Sequence, residues 1–178
     1  MVCKRGHSAA DAVRAMTAAE MLPEVPGSWV EVQLGITLGQ CRARVPSGTD
    51  IDLPTITMPI RSHQVPPFVL TVEVAGASCL ASAMLDDLDA AVTYFCETHE
   101  SQDGVSNVCK AVLDDGYIFT AQNKTRVGVE APNSYWLRCR RLLDGKAYAV
   151  ETMARTAEEL TMALAFSKSI RAPLASER

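Results

Sequence analysis

Alternation of apolar and polar residues predicts strands along much of the chain, and the clearest case is a hairpin near its C-terminal end. Two alternating runs, from Ser134 to Leu143 and from Lys146 to Met153, flank the dipeptide Asp144-Gly145. Asp-Gly favours a two-residue type I′ turn, because that turn needs positive φ at both central residues. The turn fixes the register of the hairpin, so Arg138 is predicted to lie opposite Glu151.

This register gives the hairpin two faces of different character. The apolar face is predicted to join the core, and it carries Leu137, Cys139, Leu143, Tyr148, Val150 and Thr152. The other face is predicted to be exposed to solvent, and it carries Trp136, Arg138, Arg140, Ala149, Glu151 and Met153. Such a difference between faces is typical of an antiparallel sheet with one side on the core.

Helical spacing of apolar residues predicts three helices. The first follows a capping box at Ser8 to Asp11 and extends to Leu22. The third begins at a second box, Thr156 to Glu159, and extends to Ile170. The central helix, from Ser78 to His99, is the longest, and its apolar stripe consists of Leu80, Met84, Leu88, Val92 and Phe95.

Strands cluster between these helices. Further strands are predicted at Trp29 to Leu34, Gln40 to Val45, Phe68 to Val74, Val105 to Leu113 and Tyr117 to Thr120, with an irregular edge segment from Ile51 to Ile60. The order predicts an α+β fold, in which an N-terminal helix, a long central helix and a C-terminal helix pack on an antiparallel β-sheet. We expect one domain over residues 8–172, with flexible tails at 1–7 and 173–178.

From Phe68 onward this layout resembles the PsbP-like fold family, whose relatives include the extrinsic subunit of photosystem II, a Ran-binding protein, DcrB-type lipoproteins and small toxin chaperones. The matching features are the strand at Phe68, the central helix, the closing motif Asp144-Gly-Lys146-x-Tyr148 and a final helix that ends at Lys168 to Arg171. The resemblance covers about 100 residues and implies a function in partner binding.

The N-terminal part is more similar to the mitochondrial acidic matrix protein family. In that family a helix precedes a strand that begins with Gly-Gly-Trp, which matches Gly27-Ser-Trp29 here. Two features depart from the family: this chain is less acidic, and it has an Asp-Gly hairpin where the family ends in two long helices. This resemblance implies an oligomeric scaffold of the mitochondrial matrix.

Composition excludes some classes of function. A net charge of -4 gives no reason to expect nucleic-acid binding. The six cysteines have no CxxC spacing and do not imply a disulfide framework in a chain of 178 residues. No signal peptide or transmembrane segment is predicted. We therefore expect reduced thiols and an intracellular location, in the cytoplasm or the mitochondrial matrix.

One group of residues has the chemistry of a metal site. Cys96 and His99 share a helix face, and Cys109 follows after a short interval. The competing interpretation is stronger, because Cys96 also belongs to the apolar stripe and His99 suits an exposed helix end. We expect no metal and no cofactor.

Trp136, Arg138, Arg140 and Arg141 form the basic and aromatic cluster of the chain. Such residues dock acidic groups or partner proteins, but the same residues also fit a solvated sheet face. No nucleophile motif or phosphate-binding loop is present. The sequence therefore predicts a non-enzymatic binding, accessory or chaperone-like domain with an acidic protein partner. The main alternative is an oligomeric scaffold, and an uncharacterised enzyme is a weaker one. The oligomeric state, monomer or trimer, stays open.

Overall fold

The protein, seen in a computed structural model, is built on one large twisted sheet, a separate β-hairpin and a helix that contacts both. The structure describes residues 13–36, 39–60, 67–75, 88, 92–93, 105–123 and 134–172.

The long strands that alternation predicts are present in the sheet and the hairpin, with bounds close to those expected. The ten strands within the described residues are β1 (Arg14–Ala15), β2 (Val30–Ile36), β3 (Gly39–Val45), β4 (Asp50–Asp52), β5 (Thr55–Met58), β6 (Phe68–Ala75), β7 (Val105–Leu113), β8 (Gly116–Asn123), β9 (Ser134–Leu143) and β10 (Lys146–Ala154). The helices with defined bounds are α1 (Ala18–Met21) and α2 (Ala157–Ser169).

Eight of these strands form the main sheet in the order β1-β7-β8-β9-β10-β6-β5-β4. Strands β7 to β10 are an antiparallel meander, and β6 pairs with β10 to extend it toward β5 and β4. Only the short β1 runs parallel to its neighbour among the paired strands described. The β2–β3 hairpin forms a second, two-stranded sheet.

The α+β prediction is wrong, because the described part of the chain is mostly β. Most of its residues lie in strands, and its helices with defined bounds are the 4-residue α1 and the 13-residue α2, which does not match a sheet covered by N-terminal, long central and C-terminal helices. The reason lies in the strand lengths. The meander strands reach ten residues, and the segment from Asp50 to Met58 forms two true strands rather than one irregular edge.

The predicted N-terminal helix is the clearest local error. Arg14 and Ala15 form β1 beside β7, and the backbone N–H of Met16 donates to the carbonyl of Lys110 at 2.8 Å. The helix begins only after Thr17, which is its N-cap. A capping box with Glu20 is present there, nine residues after the box predicted at Ser8 to Asp11. Pairing with the sheet edge thus overrides a weak helical pattern. Residues 8–12 lie outside the described part.

The predicted central helix falls largely on residues outside the described ranges, including Leu80, Met84 and Phe95. Leu88, Val92 and Thr93 are described, and all three are helical. Leu88 and Val92 are buried, in a cluster with Val108 and aromatic residues of β8. The prediction that these two side chains pack on the sheet is therefore confirmed.

The C-terminal hairpin has the predicted register. Asp144 and Gly145 adopt φ of 53° and 71°, and Arg138 faces Glu151. Helix α2 then starts after the N-cap Thr156, as predicted. The expected capping box is altered, because the Glu159 carboxylate accepts from the backbone N–H of Arg155 at 2.5 Å and from its guanidinium. Glu159 is thereby buried as one half of an ion pair.

The main core lies between α2, the β2–β3 hairpin and one face of the large sheet. Its sheet side includes the predicted residues Leu137, Cys139, Tyr148 and Val150. From α2 it receives Ala163, Leu164, Phe166 and the C-cap residue Ile170. Burial of these apolar side chains, at about 25 cal/mol for each Å² removed from water, is the main force that joins the layers.

Polar contacts fix the hairpin over this core. Arg42 and Arg171 form an antiparallel bridge, with backbone N–O distances of 2.9 and 2.7 Å. The buried Tyr148 hydroxyl donates to the carbonyl of Gln40 at 2.9 Å. Burial raises the pKa of Tyr148 to about 12, so this hydroxyl keeps its proton.

Two core thiols make stability dependent on pH. Burial raises the pKa of Cys139 to about 12 and that of Cys41 to about 11, against about 8.5 for a thiol in an unfolded chain. The thiols therefore stabilise the fold fully below about pH 8.5 and lose this contribution as the pH rises through the folded pKa values. Cys139→Ala should reduce the decline in unfolding free energy between about pH 8 and pH 10 by on the order of 2 kcal/mol. Urea denaturation at both pH values measures it, and an unchanged decline contradicts it.

Gly116, the first residue of β8, allows this strand to approach β9 closely. A Cβ at this position would lie 1.9 Å from the carbonyl oxygen of Arg140. Gly116→Ala should therefore lower the unfolding free energy by at least about 1–3 kcal/mol, as overpacking does. Gly35→Ala is the matched control, because a Cβ there meets no described atom within 4 Å. Equal urea midpoints for the two variants would show that β9 moves away without cost.

Candidate functional site

The face of the meander opposite the main core carries three of the four predicted site residues. Trp136, Arg138 and Arg140 alternate along β9 and share this outer face. Glu151 on β10 accepts from both arginines: its Oε1 lies 3.0 Å from Nε of Arg138 and 2.6 Å from Nη2 of Arg140. Two guanidinium groups thus share one carboxylate.

Aromatic side chains of β8 support the two arginines. The guanidinium carbon of Arg138 lies 5.9 Å from the ring centroid of Phe119, which is close enough for a cation–π contact. Arg140 contacts Tyr117, whose pKa is raised by burial and lowered to a lesser extent by the positive charges of Arg140 and Arg138. The rings of Tyr117 and Phe119 are stacked at 6.5 Å. The arginines therefore cover an aromatic layer.

Part of this face is covered and part is open. Trp136 packs against the second apolar cluster, with Leu88 and Val92. Next to it, Met153 is 56% exposed and Val69 on β6 is 48% exposed. The register of β10 with β6 places these two side by side. We call the open region, formed by Arg138, Arg140, Glu151, Met153 and Val69, the arginine patch.

Arg141 lies on the other side of the sheet and does not belong to this patch. Its Nε and Nη2 donate to both carboxylate oxygens of Asp115, at 3.0 and 2.5 Å. Its Nη1 donates to the carbonyls of Ser167 and Ile170, each at 3.2 Å. The guanidinium thus caps the C-terminal end of α2 and ties it to the β7–β8 turn. The predicted four-residue cluster is divided by strand alternation.

The metal candidate is not assembled in the described structure. Cys109 lies in β7 and packs at the margin of the main core, while Cys96 and His99 lie outside the described residues. Within the described ranges no three His, Cys, Asp or Glu residues come close enough to hold a metal ion. Cys41, Cys109 and Cys139 are free thiols.

A pocket at the open end of the β2–β3 hairpin was not predicted. It has a volume of about 410 Å³, and it lies between two turns of the hairpin, the end of β5 and the start of α2. Its sequence signal is slight: Pro26-Gly-Ser-Trp29 and Pro46-Ser-Gly-Thr49 are two similar turns. Their approach to Glu158 and Met162 on α2 follows only from the tertiary structure.

Comparison with known proteins gives no family. No protein-family model matches the chain, and no curated protein matches it. Among the described residues, no helix is both long and apolar enough to cross a membrane.

The different surroundings of Arg141 and Arg138 predict different costs of truncation. Arg141→Met should lower the unfolding free energy by about 2–4 kcal/mol, because Asp115 and two helix-end carbonyls lose their donor in a largely buried site. Arg138→Met, on the same strand, should cost less than about 1 kcal/mol, since its ion pair and ring contact are partly exposed. Urea denaturation measures both. Similar costs would show that the two arginines are equally structural.

Proposed function

We propose that this protein is a non-enzymatic accessory domain that binds an acidic segment of a partner protein through the arginine patch. One observation carries the proposal: Arg138 and Arg140 share the single carboxylate of Glu151 on an open part of the sheet. Two cations and one anion leave this triad with a net charge of one positive. A partner carboxylate at this position completes the charge balance.

The geometry of the two guanidinium groups suits the paired oxygens of a carboxylate. A guanidinium presents its N–H groups in a planar fork that matches a carboxylate, and the ring of Phe119 restricts how Arg138 turns. The side chain of Arg138 is 32% exposed, so it is accessible while it remains anchored. Arginines held in this way lose little conformational entropy when they bind.

Apolar contact at the margin adds to this attraction. Met153 and Val69 expose apolar surface directly beside the charged triad. Methionine adapts its shape to different partners, which suits a surface that receives a peptide segment. The fitting partner is therefore a segment in which acidic residues alternate or cluster with apolar ones. The PsbP-like resemblance supports the same class of function, because those relatives act by binding partners.

The proposal places the protein in a reducing compartment, the cytoplasm or the mitochondrial matrix. The thiols of Cys41, Cys109 and Cys139 support this, because all three are free and two of them lie deep in the core.

A charge-inverted patch tests the proposal. The variant Arg138→Glu/Arg140→Glu/Glu151→Arg keeps every unlike pair but changes the net charge of the triad from positive to negative. Two labelled short peptides serve as probes, with the same leucines and with either glutamate or lysine at the other positions. The wild type should bind the acidic peptide more tightly by about fivefold or more, and the variant should prefer the basic one. Fluorescence anisotropy at low and high salt measures both.

Arg14→Glu is the matched control. It changes the net charge of the chain by the same amount as the inverted variant, but Arg14 is exposed on the edge strand β1, which β7 and β8 separate from β9. This variant should keep the wild-type preference. If the control loses the preference as well, general charge and not the patch attracts the peptide. If the wild type binds both peptides equally, the arginine patch is a solvated surface.

A further inference from the structure

The pocket at the open end of the β2–β3 hairpin is a concave surface separate from the arginine patch. Its volume of about 410 Å³ lies in the usual range for small-ligand sites, about 300–1,000 Å³. Most of its wall is apolar. The lining residues are Pro26, Ser28, Trp29, Pro46, Ser47, Pro59, Ile60, Glu158 and Met162.

Two short turns form one side of the pocket and hold it in shape. In the first, the N–H of Trp29 donates to the carbonyl of Pro26 at 3.1 Å. In the second, the N–H and the hydroxyl of Thr49 both donate to the carbonyl of Pro46, at 3.2 and 2.7 Å. Each turn opens with a proline, whose fixed φ restricts the backbone before any ligand is present.

A guanidinium behind the wall fixes the tryptophan. Nη2 of Arg44 donates to the carbonyls of Gly27 and Trp29, at 3.2 and 2.9 Å. The backbone N–H of Arg44 donates in turn to the hydroxyl of Ser169 at the end of α2, at 2.9 Å. Trp29 is therefore held between a turn and a helix, with only 8% of its surface exposed. A wall that is already ordered loses little entropy on binding.

The charge of the lining comes from one side chain. Glu158 lies in the first turn of α2, exposed at the margin of the pocket. The next residue, Glu159, is buried and neutralised by Arg155, so it adds no free charge nearby. Ser28 and Ser47 supply hydroxyl groups. An aromatic and proline wall beside one carboxylate favours a cation that carries an apolar body.

We propose that this pocket binds an organic cation, an ammonium group on an apolar stem, with the apolar part against Trp29, Ile60 and Met162 and the charge toward Glu158. The site does not depend on the arginine patch, which takes the opposite charge on another surface. The same chemistry occurs in a free amine and in a lysine side chain of a peptide. The probes below separate these two sources.

Fluorescence of Trp29 reports on the pocket directly. The chain has two tryptophans, so Trp136→Phe leaves Trp29 as the single reporter. Phenethylammonium and its neutral counterpart 2-phenylethanol are the free probes, and N-acetyl-lysine methylamide represents the peptide source. The ammonium probe should change the emission of Trp29 saturably and bind more tightly than the alcohol. If phenethylammonium binds more tightly than N-acetyl-lysine methylamide, the ligand is a free amine; the reverse order indicates a lysine side chain of a peptide.

Two variants separate the contribution of the Glu158 charge from that of the apolar wall. Glu158→Gln should weaken binding of the ammonium probe about three- to fivefold, as expected for a partly exposed ion pair, and leave the alcohol unchanged. Met162→Ala should weaken both probes. Glu31→Gln, which removes an exposed carboxylate on β2 outside the pocket, is the matched control. Equal affinity for cation and alcohol, or no saturable change at all, overturns the proposal.

Discussion

The side chain of Arg141 joins the three parts on which the rest of the structure depends. It projects from β9 toward the core, binds Asp115 in the β7–β8 turn and caps the last carbonyls of α2. The backbone of the same turn is tied to β9 as well, because the N–H of Leu142 donates to the carbonyl of Asp115 at 2.6 Å. The positive charge of Arg141 also interacts favourably with the negative end of the helix dipole. One guanidinium therefore holds the C-terminal end of α2 against the sheet.

The two faces of the sheet have different physical roles. The inner face is closed by α2 and the hairpin, and its polar atoms are few and paired, as with Tyr148 and Gln40. The outer face is covered near Leu88 and Val92 but is open beside Met153. Its arginines shield the ring of Phe119 while their charge stays accessible. One set of side chains therefore serves both packing and the proposed recognition.

Local rules predicted what local interactions decide. Asp144-Gly145 determined the hairpin register, and with it the pairing of Arg138 with Glu151. Thr156 determined the start of α2. The errors arose where distant contacts compete with local preference. Strand β1 replaces the start of the predicted helix because the N–H of Met16 reaches the carbonyl of Lys110, and the segment from Asp50 to Met58 forms two paired strands instead of an irregular edge. The pocket could not be predicted for the same reason, since its lining residues come together only in the folded state.

The contact between the hairpin and α2 also affects the newly synthesised chain on the ribosome. The bond from the Arg44 N–H to the Ser169 hydroxyl spans 125 residues of sequence, and that from Arg42 to the carbonyl of Ala172 spans 130. The apolar side of the hairpin, with Leu34 and Ala43, therefore stays exposed until almost all of the described sequence has been translated. Contacts between residues so distant in sequence slow folding, and the apolar surface that is exposed meanwhile is prone to aggregation unless chaperones bind it.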